Sequence, residues 1–171
     1  MITVEEVLAE VNKSSGLILP RENVHCIEGK SLDEVYRIID ENGGGRRGWP
    51  LYLLNGSLPD CTFARKTSQL FFTCCNFRNT EFNGDLNFRY FFTDCNLDGT
   101  RFVAKRMVTV GFRICHMAGT VLMPDSTSQV VIERDWPWLD SIKIDTRKHH
   151  WIKRDLYGQT VLWLEDIPPL P

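Results

Sequence analysis

The chain has 171 residues, of which 43% are hydrophobic and 25% are charged, and its formal net charge is −2. This length suits one domain with a buried core, and the near-neutral charge gives no global reason to expect nucleic acid or anionic lipid as a partner. No apolar run approaches the roughly 20 residues that a membrane-spanning helix needs.

Two helices are predicted near the N-terminus. Thr3 can cap a helix over residues 4–13, with a stripe of apolar side chains on one face. Ser31 and Glu34 form a capping box for a second helix. Residues 43–48 are rich in glycine and lack the Lys-Ser/Thr ending of a phosphate loop, so they are interpreted as a linker. Residues 1–50 are therefore expected to form a two-helix segment with its linker.

The middle of the chain contains a twenty-residue repeat. The triplet Cys-Asn-Phe at residues 75–77 returns as Cys-Asn-Leu at residues 95–97 and as Cys-His-Met at residues 115–117. Within it, large apolar residues recur at five-residue spacing, and seven of the ten have a smaller residue two places earlier. The large residues are Phe72, Phe77, Phe82, Phe92, Leu97, Phe102, Met107, Phe112, Met117 and Leu122. The small ones are Cys75, Thr80, Cys95, Thr100, Val110, Cys115 and Thr120. Repeated units bury themselves against their copies, so this period dominates the architecture.

This pattern resembles the pentapeptide-repeat family over about residues 58–122. In that family a central Leu or Phe and the small residue two places before it both point inward. The resemblance implies a right-handed quadrilateral β-helix in which each twenty-residue coil stacks on the last. Residues 51–124 are expected to form this β-helix, and the fold class is expected to be mainly β. About three coils, the usual minimum for a solenoid, would be filled by side chains and leave no interior cavity.

The stacking register also predicts which exposed charges meet. Arg78 should lie one coil below Asp98, and Glu81 one coil below Arg101. Exposed ion pairs contribute only about 0–1 kcal/mol each, so they would adjust the stacking without determining it.

One stretch breaks the regular pattern. In the strict register Asp85 and Asn87 point inward, which is costly for a carboxylate without a partner. A local slip that turns Leu86 and Phe88 inward would relieve this cost, and we favour it. The strict register would instead leave an exposed apolar strip, a feature typical of docking sites. That strip would comprise Phe71, Leu86, Phe88 and Phe91.

After Pro124 the five-residue period is lost, and short strands are predicted instead. They cover residues 129–133, 141–146, 149–154 and 159–165, with Tyr157 and Gly158 turning the last two into a hairpin. A bare solenoid end exposes unpaired backbone and apolar core. Residues 125–171 are therefore expected to form a β-rich cap, which also contains four of the five tryptophans.

The cysteines are interpreted as structural. Cys75, Cys95 and Cys115 follow the repeat, and a straight column does not offer zinc its four converging ligands. Buried thiols then act as small apolar side chains. The N-terminal residues lack the basic-then-apolar order of a secretory signal, so we expect reduced thiols and a cytoplasmic protein. Cys74 should face outward and be the thiol most open to modification.

His149 and His150, with Asp145 nearby, form the cluster that most resembles a catalytic or metal site. Adjacent residues of a strand point to opposite faces, so the two rings cannot readily bind one ion. No nucleophile–base pair and no cofactor fingerprint stands out in the sequence. We therefore predict no enzymatic activity, no cofactor and no metal.

The function expected from these observations is protein binding without catalysis. The chain would be an inhibitor or modulator that occludes a partner protein's working surface, a role that suits a phage or mobile element disarming a host defence complex. Aromatic and arginine side chains on the cap and on a solenoid face are the expected anchors. The candidate contact residues are Trp136, Trp138, Trp151, Arg134, Arg101 and Arg106.

Two alternatives remain open. The solenoid could serve a structural or self-assembly role, and a homodimer is compatible with the sequence. The best-known activity of the family that the chain resembles is protection of DNA gyrase by imitation of duplex DNA, which needs a strongly negative solenoid. Residues 55–124 carry 8 basic and 5 acidic residues, which argues against DNA mimicry. The basic residues fall on several faces, which argues against direct nucleic-acid binding.

Overall fold

The computed structural model describes residues 1–16, 18–42, 49–65, 69–84, 89–133 and 137–169. The chain is mostly β, with 40% strand and 18% helix, and it forms a β-solenoid of about four stacked turns. The predicted linker and the register question at residues 85–88 lie outside the described residues. No described helix combines the length and the apolar character needed to cross a bilayer.

The helices and strands of the described residues are as follows. The helices are α1 (Val4–Ser15) and α2 (Leu32–Glu41), and short 3-10 turns occupy Arg21–Asn23 and Leu139–Ser141. The strands are β1 (Val24–Cys26), β2 (Leu51–Leu54), β3 (Thr62–Phe63), β4 (Leu70–Thr73), β5 (Glu81–Phe82), β6 (Tyr90–Thr93), β7 (Arg101–Phe102), β8 (Arg106–Arg113), β9 (Val121–Leu122), β10 (Ser126–Glu133), β11 (Lys143–Ile144), β12 (His149–Leu156) and β13 (Gln159–Asp166).

Both helices begin at the capping boxes that the sequence predicts. The Thr3 hydroxyl accepts a hydrogen bond from the backbone N–H of Glu6, whose carboxylate accepts one in return from the Thr3 backbone. Ser31 and Glu34 make the same exchange at the start of α2. Each box satisfies N–H groups that have no partner within the helix, so these helix starts are determined locally.

The strands form two sheets that run along the stacked coils. One has the order β1-β2-β4-β6-β8-β10-β13-β12, and the other has the order β11-β9-β7-β5-β3. In the larger sheet Tyr90 pairs with Leu70 and with Val110, each twenty residues away, and all of these pairings are parallel. Among the described strands, the antiparallel pairings are those of β13 with β10 and with β12. Each coil thus contributes one strand to each sheet.

The core columns predicted from the repeat are confirmed. All ten large residues of the repeat are fully buried, and all seven small ones are at most 2% exposed. The rings of Phe72, Phe92 and Phe112 stack in a column with centroid spacings of 5.4 Å. The interior of the solenoid is therefore filled by side chains at each level.

The small residues also bond one coil to the next. The hydroxyls of Thr100 and Thr120 donate to the carbonyl oxygens of Phe77 and Leu97, one coil below, at 2.7 and 2.8 Å. The Cys115 thiol donates to the carbonyl of Phe92 in the same way, at 3.2 Å. Buried polar groups need such partners, so a threonine or cysteine here stabilises the stack beyond filling space.

The prediction that the period ends at Pro124 is wrong. β10 continues the twenty-residue register, with Val130 beside Val110 and Ile132 beside Phe112. Both residues are buried in the same core. β11 likewise pairs in parallel with β9. The solenoid therefore extends beyond Pro124, and the antiparallel hairpin β12–β13 adds to the edge of its last coil.

Both ends of the core are closed, as expected for a short solenoid. At the first coil α2 buries Val35 and Ile39, and Tyr36 packs edge-on against Phe63 with ring centroids 5.3 Å apart. At the last coil Ile142 is buried, with Trp138 packed beside it against the same core. The apolar interior is thus shielded from water at each end.

Candidate functional site

Helix α1 packs on the outside of the solenoid and does not close its end. Val7 is buried in a second, smaller apolar cluster with Val24 and Leu54. The side chain of Asn55 holds the start of the chain, because it accepts a hydrogen bond from the N–H of Ile2 at 3.0 Å and donates one to its carbonyl at 2.7 Å. The helix therefore forms a wall beside the outer face of the larger sheet.

Three aromatic side chains stack on that outer face. Tyr52, Phe71 and Phe91 point outward from β2, β4 and β6, and we call them the aromatic ladder. The ring centroids are 4.7 Å apart between the first pair and 4.8 Å apart between the second. All three rings are half-buried. Because the strands beneath them are paired, the ladder sits on a rigid floor.

The next coil has a glycine where the ladder would continue. A Cβ atom added to Gly111 would lie 2.6 Å from Cδ1 of Phe91, so the Phe91 ring rests over the glycine backbone. Any side chain at this position would push the ring aside. Gly111 therefore sets the position of the last ring of the ladder.

Helix α1 and the ladder enclose a groove of about 290 Å³. It is lined by Ile2, Val7, Glu10, Val11, Ser14, Tyr52, Phe71, Thr73, Phe91, Thr93, Gly111, Phe112, Arg113 and Glu133. Burial raises the pKa of Tyr52 to about 12, and the nearby charge of Glu10 adds to this shift. The Tyr52 hydroxyl therefore stays neutral at physiological pH.

Arg113 lies at the end of β8, the strand beside β6 in the floor of the groove. The residue is half-buried, its Nε atom is fully buried, and no described residue accepts a hydrogen bond from that atom. Its register neighbour on β10 is Glu133, yet the ion pairs of the described residues do not include Arg113. The guanidinium therefore lies in the groove without an ion pair among the described residues, although Glu10 and Glu133 line the same groove.

The residue after Arg113 has an unusual backbone conformation. Ile114 has a φ of 54°, in the left-handed region, at the corner where Asn55 and Asp94 have φ values of 59° and 52°. A β-branched residue is an outlier in this region. Its side chain is nevertheless 48% exposed, so it gains little from burial. Folding therefore does not explain an isoleucine at this corner.

The contact residues predicted from the sequence lie on separate elements. Trp138 and Trp151 are half-buried and pack against the main core, and Arg134 and Trp136 lie outside the described residues. Arg101 is on β7 in the smaller sheet, whereas Arg106 is exposed at the start of β8 in the larger one. The structure therefore does not bring the described members of this set together into one site.

One of the two predicted ion pairs forms. Arg101 approaches Glu81 with 3.6 Å between Nε and Oε2, as the register predicts. The predicted pair between Arg78 and Asp98 is wrong, because the Asp98 carboxylate instead accepts a hydrogen bond from the N–H of Ala118 at 2.8 Å.

The two adjacent histidines face opposite ways, as predicted. His150 is exposed, whereas His149 is 1% exposed and has both ring nitrogens engaged. Its Nδ1 lies 3.0 Å from the Asp166 carboxylate, and its Nε2 lies 3.0 Å from the carbonyl oxygen of Pro124. His149 therefore anchors the hairpin β12–β13 to the last coil. Within the described ranges, no three His, Cys, Asp or Glu side chains are grouped to hold a metal ion.

The three thiols of the repeat column are buried as predicted, but Cys74 differs from the prediction. Cys74 is half-buried, and burial together with the hydrogen bond to Asp94 raises its pKa to about 11. Burial raises the pKa of the Cys95 thiol well above its ordinary value. Cys26 is the exposed thiol. The prediction that Cys74 is the thiol most open to modification is therefore wrong.

Comparison with known proteins gives no match: no family model matches the chain, and no curated protein and no solved structure is significantly similar to it. The geometry of the groove is therefore the basis for inferring function.

Part of this site could have been found in the sequence. Tyr52 precedes Phe71 by nineteen residues and Phe91 follows by twenty, so the outward aromatic column obeys the repeat. Phe71 and Phe91 belong to the strip considered in the sequence, although its other two members lie outside the described residues. The position of α1 and the unpaired state of Arg113 had no sequence signal, because both depend on contacts between distant segments.

Proposed function

We propose that this protein is a non-enzymatic protein-binding module, an inhibitor or modulator that occludes a partner protein's working surface. The observation that carries this proposal is the aromatic ladder, three stacked and half-buried rings on a rigid floor beside a helix. Aromatic side chains with restricted freedom are the usual anchors of protein interfaces. The ladder offers such anchors without any further ordering of the chain.

We also propose that the solenoid is of the pentapeptide-repeat type and that the protein acts in the cytoplasm. The columns of alternating large and small inward residues support the first statement. The six cysteines, all of them free thiols, support the second.

The shape of the molecule favours binding over catalysis. The solenoid interior is occupied by stacked side chains, and the groove beside helix α1 lies on the outside. That groove contains mainly aromatic, aliphatic and threonine side chains. Active sites need a few converging groups able to transfer protons or attack a substrate, whereas interfaces need area and anchors.

Occlusion of a partner is favoured over self-assembly. The larger sheet has β1 at one edge and β12 at the other, and the long free edge of β12 is available for pairing with another chain. Its C-terminal half carries three consecutive exposed charged residues, Lys153, Arg154 and Asp155. Exposed charges on an edge strand discourage pairing with a second copy.

The experiment is a pull-down from the native host lysate with the wild type and matched variants. Phe71→Ser removes the middle ring of the ladder, Trp138→Ala alters the cap, and Arg101→Glu alters the other sheet. We expect one partner to be retained by the wild type and by Arg101→Glu, and to be lost with Phe71→Ser. Loss with Trp138→Ala alone would move the binding surface to the cap. A large assembly of the isolated protein in light scattering would favour the structural role.

A further inference from the structure

We propose that the groove binds a partner segment in which a large apolar or aromatic side chain stands next to a single carboxylate. The apolar side chain lies on the aromatic ladder, and the carboxylate pairs with Arg113. This inference rests on the proposed function and names the chemistry of the partner.

The buried Nε atom of Arg113 has no hydrogen-bond partner among the described residues. A buried donor without a partner destabilises a folded protein, and such groups in native structures call for an explanation such as a missing ligand. Arg65 offers a comparison within the same chain. Its Nε is likewise unpartnered, but its guanidinium pairs with Asp40 at 2.9 Å and lies 4.6 Å from the centre of the Tyr36 ring. No described carboxylate forms an ion pair with Arg113, so its half-buried guanidinium can pair with a carboxylate of the partner.

A second observation is the position of this charge relative to the ladder. Gly111 and Arg113 are two residues apart on β8, and therefore they point from the same face, about 7 Å apart. The Phe91 ring covers Gly111, and both Phe91 and Arg113 line the groove. A segment whose apolar side chain contacts Phe91 would bring a neighbouring carboxylate within reach of Arg113.

A third observation is the remaining charge in the groove. Glu10 and Glu133 also line it, so the lining carries two negative charges against one positive. A polyanion such as nucleic acid would be repelled by both carboxylates. The segment should therefore carry one acidic group at Arg113, with neutral or basic residues beside it.

Ile114 extends the binding surface next to Arg113. It is exposed, it is strained at its corner, and it follows Arg113 directly. Strained residues persist where another requirement holds them in place. An apolar contact with the bound segment, beside the salt bridge to Arg113, is such a requirement.

The experiment selects phage-displayed random dodecapeptides on the immobilised wild type, with Arg113→Gln and Arg78→Gln as matched counter-targets. Arg78 is exposed and has no role in the groove. We expect a consensus with an aromatic or large aliphatic residue within two positions of an aspartate or glutamate. Binding of the synthetic consensus peptide, followed by fluorescence anisotropy, should weaken about tenfold or more with Arg113→Gln and remain unchanged with Arg78→Gln.

A double-mutant cycle makes the assignment specific. Replacing the peptide's carboxylate by its amide should weaken binding to the wild type by the same factor, and it should have no further effect on Arg113→Gln. The proposal is overturned by the absence of a consensus, by a consensus that is basic or lacks an acid, or by equal affinity of wild type and Arg113→Gln.

Stability measurements separate a structural role from binding. Because Arg113 has no partner in the described chain, Arg113→Gln should unfold at the same temperature as the wild type or higher. A lower midpoint would make Arg113 a structural residue and overturn the proposal. If the lysate partner is lost with Phe71→Ser but kept with Arg113→Gln, the proposed function stands and this inference fails. If both variants keep the partner, this inference fails, and binding through the aromatic ladder fails with it.

Discussion

At the scale of single residues, the chain combines positions that serve the fold with positions that do not. Thr100 and Thr120 are buried and bonded to the coil below, so their identity follows from folding. Ile114 and Arg113 are different, because one is strained and exposed and the other is half-buried without a partner. Residues that the fold does not explain are where function is expected.

The strain at Ile114 gives a testable consequence. Ile114→Asn should raise the free energy of unfolding by about 0.5–1 kcal/mol, because asparagine tolerates the left-handed region that β-branched residues avoid. Asn55 already occupies the equivalent corner of the first coil. Urea unfolding measures the change.

The matched control is Ile114→Val, which keeps the β-branch and should bring no gain. If Ile114 contacts the bound segment, Ile114→Asn should raise the stability of the protein and weaken its binding of the selected peptide. A loss of stability in Ile114→Asn would show that the isoleucine contributes to the fold.

At the scale of elements, local and periodic sequence signals predict helix starts and core columns well. They do not predict the contacts between segments that are distant in the chain. The starts of α1 and α2 follow from capping boxes within four residues, and the columns of the first coils follow from the repeat. The sequence does not predict that β10 belongs to the solenoid. Val130 and Ile132 keep the twenty-residue spacing, but the cysteine triplet that marks the earlier coils does not follow them. The stripe on α1 predicts that it is buried, but not against which surface.

The hairpin β12–β13 depends on one buried anchor. His149→Ala should lower the free energy of unfolding by about 1–3 kcal/mol, because it leaves the buried carbonyl of Pro124 without its donor. The Asp166 carboxylate would keep its bonds from Thr127 at 2.9 and 2.7 Å. Chemical denaturation gives the size of the effect, and amide exchange shows whether the hairpin loosens first.

His150→Ala is the control for this variant, because the neighbouring ring is exposed. It should stay within about 0.5 kcal/mol of the wild type. Equal losses for the two variants would contradict the anchoring role of His149.

At the scale of the whole molecule, the fold is a short, filled solenoid whose chemistry lies on its outer surface. Helix α1 covers part of one face and leaves the aromatic ladder half open. The sequence predicts the solenoid and its core, and it draws attention to Phe71 and Phe91. It cannot predict the groove itself, which exists only because α1 packs across coils that are far from it in the chain.

The central claim is that this groove, and not the tryptophan-rich cap, is the surface that meets the partner. Hydroxyl-radical footprinting of the complex recovered from the pull-down tests this claim in one measurement, because both surfaces carry aromatic side chains that the radical oxidises. We expect oxidation of Tyr52, Phe71 and Phe91 to fall on binding, and that of Tyr157 and Trp163 to stay unchanged. Protection of the cap aromatics with the ladder unchanged would contradict it.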